Sequence, residues 1–125
     1  MSDLHVQTRL SLVIRGELAS KANSRRLVTI GGKPRFIKSA KALAFEQFAL
    51  MQIPLDHRIN MTGAIRMTAT IYYGSLRPDL DPSLLMDILQ TAGVYKNDRQ
   101  ITQQFLYKKL DRKSPRIELM LEELA

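Results

Sequence analysis

The spacing of apolar residues changes along this chain, and that change limits the folds available to it. Between residues 6 and 14, the residues at even positions are apolar or threonine, a pattern typical of a half-buried strand. Between residues 84 and 92, the apolar residues follow helical spacing instead. The sequence therefore predicts a sheet with at least one amphipathic helix packed against it.

Turn and capping residues complete the order of elements. Two glycines at positions 31 and 32 separate residues 27–30 from residues 33–37, which predicts a hairpin with a two-glycine turn. Ser39 is a good N-cap for a helix over residues 40–52. Further strands are predicted at 64–73, 100–108 and 116–121, and a second helix at 82–92. We expect one α+β domain over residues 1–125, with two helices packed on a mixed or antiparallel sheet.

The composition narrows the functional classes. A chain of 125 residues that is 45% hydrophobic can bury a core without covalent links. It has no cysteine, which excludes disulfides, thiol catalysis and cysteine-type zinc sites. Neither a signal-peptide pattern nor an apolar run of about 20 residues is present. We expect a soluble protein with no membrane segment, located in the cytoplasm.

Charge is unevenly distributed along the chain. Lysine and arginine number 19 against 12 acids, a net charge of +7 that favours a polyanionic partner such as nucleic acid. The bases concentrate in residues 15–41 and 99–116, where the acids are only Glu17 and Asp111. Residues 79–98 contain four aspartates. Carboxylates repel phosphate, so their presence between two basic stretches favours a protein that brings a cation to DNA.

Asp79 and Asp81 are two residues apart and flanked by Pro78 and Pro82. In an extended segment both carboxylates face the same side, where they repel each other unless a cation lies between them. This arrangement suits a hard divalent metal such as Mg²⁺. Local roles are the alternative, because an aspartate before proline commonly begins a helix and an aspartate also stabilises turns.

Asp98 is the third candidate carboxylate. If the helix packs back against its neighbours, Asp98 is expected to reach the region where the helix begins. It could equally hold a local turn before the next strand. Asp87 falls well off the apolar stripe of the helix and is interpreted as a solvated residue.

Two segments resemble a known family. Residues 77–101 resemble the core of RusA-type Holliday junction resolvases; their sequence is RPDLDPSLLMDILQTAGVYKNDRQI. Residues 20–42 are similar to the basic loop, hairpin and helix start of that family; their sequence is SKANSRRLVTIGGKPRFIKSAKA. The resemblance covers residues 11–121. It implies a RusA-like fold and a homodimeric, Mg²⁺-dependent endonuclease, with Mn²⁺ as a substitute, that makes paired nicks in four-way DNA junctions. The family's essential aspartates correspond to Asp79, Asp81 and Asp98.

The chain departs from the family pattern near these aspartates. An acidic pair is replaced by Asn97-Asp98, the helix is about two residues shorter, and a functional lysine after Asp-Leu-Asp is absent. Arg77 and Lys96 are the nearest substitutes in sequence. The resemblance and the basic loop predict DNA contacts from Lys21, Arg25 and Arg26, with Asn23 or Ser24 assisting.

Two other functions fit the same sequence. A non-catalytic DNA- or RNA-binding module would share the basic stretches but bind independently of the three aspartates. A protein-interaction domain with incidental charge would show no salt-sensitive affinity for DNA.

Overall fold

The chain forms six strands and two helices within residues 5–20 and 23–125, the ranges that the computed structural model describes. In chain order they are β1 (Val6–Arg15), β2 (Arg25–Ile30), β3 (Lys33–Lys38), α1 (Ala40–Gln52), β4 (Ile65–Tyr73), α2 (Ser83–Thr91), β5 (Ile101–Leu110) and β6 (Arg116–Leu124). The predicted element order and the α+β class are confirmed.

Four strands form a mixed sheet in the order β1-β6-β4-β5. β6 is antiparallel to β1 and β4, whereas β4 and β5 are parallel. A parallel pair requires a crossover connection, and α2 lies within it. The segment that follows β4 and the segment that precedes β5 consequently lie at opposite ends of this pair of strands.

Both helices bury apolar side chains in a single core. α2 contributes Leu84, Leu85, Ile88 and Leu89, which cluster with alternate residues of β4. α1 begins as predicted, because the Ser39 hydroxyl accepts a hydrogen bond from the Ala42 amide at 3.1 Å. No helix in the described part of the chain is long and apolar enough to cross a membrane.

The other face of the sheet carries a buried ion-pair cluster. Glu122 is 4% exposed and receives charged hydrogen bonds of 2.9 Å from both Arg66 and Arg9. These bonds, that from Arg66 foremost, hold the pKa of the Glu122 carboxyl below its usual value. The cluster joins β1, β6 and β4 across the sheet.

β2 and β3 form a separate two-stranded sheet, which we call the basic hairpin (residues 25–38). Gly31 and Gly32 have φ values of 59° and 77°, which the tight turn of a two-residue hairpin requires. None of its residues is buried, and none belongs to the core cluster. The hairpin is attached at its base, where the Ser39 amide donates to the Ser24 carbonyl at 3.0 Å.

Residues 16–26 are a polar, basic stretch whose sequence indicates a surface loop, yet part of this stretch lies in the core. Leu18 and Ala19 are 1% and 2% exposed and belong to the core, and β2 already begins at Arg25. The two apolar side chains contribute to the core although lysines and arginines surround them in sequence. Lys21 lies outside the described residues.

Candidate active site

The turn after β4 carries Asp79 and Asp81. Leu80 between them packs against the core, while Asp79 is exposed and Asp81 is half-buried. The Tyr73 hydroxyl donates to the Asp79 carbonyl at 3.2 Å and fixes the turn to the end of β4. The segment has neither helical nor strand structure.

Asp81 also has a local structural role. Its Oδ1 accepts hydrogen bonds from the Ser83 amide at 3.1 Å and from the Ser83 hydroxyl at 2.7 Å. α2 begins at Ser83, so Pro82 occupies the cap position rather than the first helical position. Both bonds use one carboxylate oxygen, so the role at the helix start is compatible with a ligand at Oδ2.

Tyr73 reports the electrostatic character of this turn. Its pKa is raised, chiefly because the hydroxyl is buried and further because Asp81, Glu17 and Asp79 place negative charge around it. The charges of three carboxylates from two separate segments therefore act on one buried hydroxyl.

Glu17 is the carboxylate that the sequence analysis did not select. It accepts a hydrogen bond from the Gly74 amide through Oε1, and its Oε2 lies 3.8 Å from the Lys41 ammonium. Glu17 and Lys41 both line a cleft of about 280 Å³. The other residues that line it are Ser20, Asn23, Ser75, Arg77, Pro78 and Asp79. The available signal was its isolation, because Glu17 is the only acid in a strongly basic stretch.

Asp98 begins a short 3-10 turn, Asp98–Gln100, immediately before β5. The local capping role belongs to Asn97, whose side chain accepts from the Arg99 amide at 2.9 Å. The Asp98 amide donates to Oε1 of Gln90 at 2.9 Å. Asp98 is therefore anchored to the last turn of α2, about 10 Å along the helix axis from Ser83.

Asp87 lies between these positions on the exposed side of α2. Ser83, Asp87 and Gln90 are all exposed and share one side of the helix. The pKa of Tyr95 is raised, first by burial and then by the charges of Asp98 and Asp87, so both carboxylates act on the same hydroxyl. We call this surface the acidic face, and it consists of Asp81, Ser83, Asp87, Gln90 and Asp98.

The acidic face differs from a closed metal cage. Within residues 5–20 and 23–125, no three His, Asp or Glu side chains are grouped closely enough to hold a metal ion together. The crossover explains the separation, because it leaves Asp98 at the end of the parallel pair opposite to Asp79 and Asp81. The assembly of all three aspartates around one ion stays a prediction.

The aspartates of residues 79–98 differ from most other acids of the chain. Five of the described acids form ion pairs with lysine or arginine, namely Glu17, Glu46, Asp111, Glu118 and Glu122, and Asp56 shares a hydrogen bond with the His57 ring. Asp79, Asp81, Asp87 and Asp98 form no ion pair with any described residue, although the chain carries a net charge of +7. Their negative charge is left available to an external cation.

The candidate basic residues lie in several places. Arg77 lines the cleft that contains Asp79, whereas Lys96 lines a different cleft beside Arg99. Arg25 lines a small cleft with Asp87, and Arg26 points to the opposite side of the basic hairpin by strand alternation.

Comparison with known proteins places this arrangement in a family. The model of the family described as Endodeoxyribonuclease RusA matches residues 17–122, a range that contains every candidate site residue. No curated protein matches the chain. Because the family model covers most of the 125 residues, the chain belongs to the RusA endodeoxyribonuclease family.

Proposed function

We propose that this protein is a structure-selective endonuclease that resolves four-way DNA junctions by paired symmetric nicks, acting as a homodimer with Mg²⁺. The observation that supports it is the set of four aspartates between residues 79 and 98 that form no ion pair with any described residue, in a basic protein that belongs to an endodeoxyribonuclease family. Two symmetric cuts need two active sites, which a twofold dimer supplies.

Asp79 and Asp81 are the proposed primary metal ligands, with Asp98 as the third. Mg²⁺ commonly binds one or two protein carboxylates and completes its shell with water and phosphate oxygens, so a pair of aspartates meets its minimum need. When bound, the ion would polarise the scissile phosphate and activate water for hydrolysis. Mn²⁺ is expected to substitute for it.

The remaining residues of the cleft would position the DNA backbone. Arg77 and Lys41 line the same cleft as Asp79, so a phosphate could contact these cations beside the metal-binding carboxylates. Arg25 contributes positive charge next to Asp87. Arg26 and Lys96 are proposed to contact the DNA backbone outside this cleft, and Lys21 is proposed as a DNA contact from the sequence alone.

The test uses purified protein and a synthetic four-way junction. Wild-type protein should make paired nicks with Mg²⁺ or Mn²⁺, and Asp81→Asn should bind the junction without cutting it. Asparagine retains the Oδ1 atom that accepts from Ser83, so the start of α2 should be preserved. Asp56→Asn is the matched control, since Asp56 is 85% exposed and pairs with His57 away from the cleft.

Cutting at the wild-type rate by Asp81→Asn would contradict the proposed role of Asp81. If the wild type never cuts, and if its affinity for the junction does not change when Asp79, Asp81 or Asp98 is replaced, the protein is a non-catalytic DNA-binding module. Sedimentation of the complex should give two protomers per junction.

A further inference from the structure

The basic hairpin exposes two large apolar side chains opposite each other. Phe36 is 72% exposed, and Leu27, its direct partner across the strands, is 60% exposed. We call them the apolar pair. An isolated two-stranded hairpin is only marginally stable in water. Large apolar side chains exposed on such an arm therefore indicate a surface that contacts a partner.

The charge of the hairpin identifies the chemistry of that partner. Residues 23–38 contain no acid and five bases, which are Arg25, Arg26, Lys33, Arg35 and Lys38. Of these five, only Lys38 forms an ion pair with a described residue, through Glu46 at 2.5 Å. A partner that covers this arm must therefore be polyanionic and also offer an apolar surface. Nucleic acid combines both, with phosphates outside and flat base faces within.

The position of the apolar pair relates it to the acidic face. Arg25 and Lys38 at the base of the hairpin line a cleft of about 50 Å³ with Ser83 and Asp87. Strand alternation places Leu27 and Phe36 on the same side of the hairpin as Arg25 and Lys38, about 7 Å closer to the turn of the hairpin. DNA held against the acidic face would therefore meet the apolar pair next.

We propose that the basic hairpin is a nucleobase-binding arm, in which Phe36 and Leu27 pack against unstacked bases at the branch point of the junction. The four basic side chains of the hairpin that form no ion pair with a described residue, Arg25, Arg26, Lys33 and Arg35, bind DNA phosphates on either side. In continuous duplex the base faces are stacked and covered, whereas a branch point exposes them or lets them be parted at low cost. This inference rests on the proposed function and assigns the recognition of branched structure to the hairpin.

The chain has no tryptophan, which gives a direct optical test. Phe36→Trp introduces the only indole of the chain into the apolar pair, where it can be excited selectively over the four tyrosines, and stacking on a base quenches indole emission. In EDTA, so that DNA is not cut, emission should fall about twofold or more on a four-way junction and little on linear duplex of the same sequence. Met51→Trp is the matched control, because Met51 is 84% exposed on α1, outside the hairpin, and should not be quenched.

Affinity provides a second readout. Phe36→Ala should weaken junction binding about tenfold, the loss expected for one base-stacking contact, with the salt dependence of binding unchanged. Its urea midpoint should match that of the wild type, because Phe36 packs in no core.

The outcomes separate the two proposals. If wild-type protein does not bind the junction, the proposed function fails first. If it binds and cuts but Phe36→Trp is unquenched, or is quenched equally by linear duplex, only the role of the hairpin is overturned. A changed molecular mass of Phe36→Ala without DNA would also overturn it, since the apolar pair would then contact a second copy of the chain.

Discussion

Gln100 holds the turn that carries Asp98, and its replacement gives a quantitative test of the site's construction. Its Nε2 donates to the Met61 carbonyl at 2.8 Å and to the Gly63 carbonyl at 2.9 Å. Its Oε1 accepts from the Asn97 amide at 2.7 Å. One side chain thus joins the turn before β5 to the segment that leads into β4.

Gln100→Ala removes all three hydrogen bonds. Each contributes a net 0.5–1.5 kcal/mol or so, and since Gln100 is half-buried, water can replace part of the loss. We therefore expect the free energy of unfolding to fall by about 2 kcal/mol. For a domain of this size that corresponds to a decrease in Tm of roughly 6–10 °C.

Urea unfolding of the variant measures this loss, with Gln103→Ala as the control. Gln103 lies on β5 without a side-chain hydrogen bond to any described residue, so its replacement should change stability by less than about 0.5 kcal/mol. Junction cleavage by Gln100→Ala should also fall at temperatures where the variant remains folded, because the turn that carries Asp98 loses its contacts with Met61 and Gly63. A decrease in the free energy of unfolding no larger than that of Gln103→Ala would refute the role of the Gln100 side chain and would show that backbone contacts alone hold the turn.

Two further predictions concern the fold. Leu85 is fully buried, so Leu85→Ala should lower the free energy of unfolding by about 2–5 kcal/mol in urea titrations, whereas exposed Met51→Ala should change it by less than about 0.5 kcal/mol. The pKa of Glu122 is lowered in the folded state, so its ion pairs stabilise the protein above the usual carboxyl value of 4.5, and that contribution is lost as the pH falls through the lowered pKa. Urea midpoints measured from pH 7 to pH 3 should show this decrease, and Glu122→Gln should show a weaker dependence; an equally steep curve for the variant would contradict the assignment.

Local signals in the sequence sufficed for most of the fold. Ser39 begins α1 and the Gly31-Gly32 turn joins β2 to β3 because both depend on residues a few positions apart. The burial of Leu18 depends instead on the distant elements that surround it, and its basic neighbours in sequence concealed this.

The candidate site shows the same division between local and distant determinants. The exposure of Asp79 beside Leu80, which packs against the core, fits the local alternation of an extended segment. The position of Asp98 depends on the direction of β5, which no local pattern reveals. Glu17 reaches the site through an amide of Gly74, 57 residues away in sequence.

The family lysine that this chain lacks illustrates why proximity in sequence is a poor guide to a site. Of the three residues that follow Pro82, Leu84 and Leu85 are needed in the core, so only Ser83 faces the surface where a cation would serve. Arg77 and Lys96 are near it in sequence, yet the cleft beside Ser83 is lined by Arg25 and Lys38 of the basic hairpin. Positive charge is thus present at that surface but comes from a separate element. In the proposed function, a hairpin that combines this charge with an exposed apolar pair would couple contact with the branch point to the supply of cations beside the aspartates, which a lysine on the helix alone could not do.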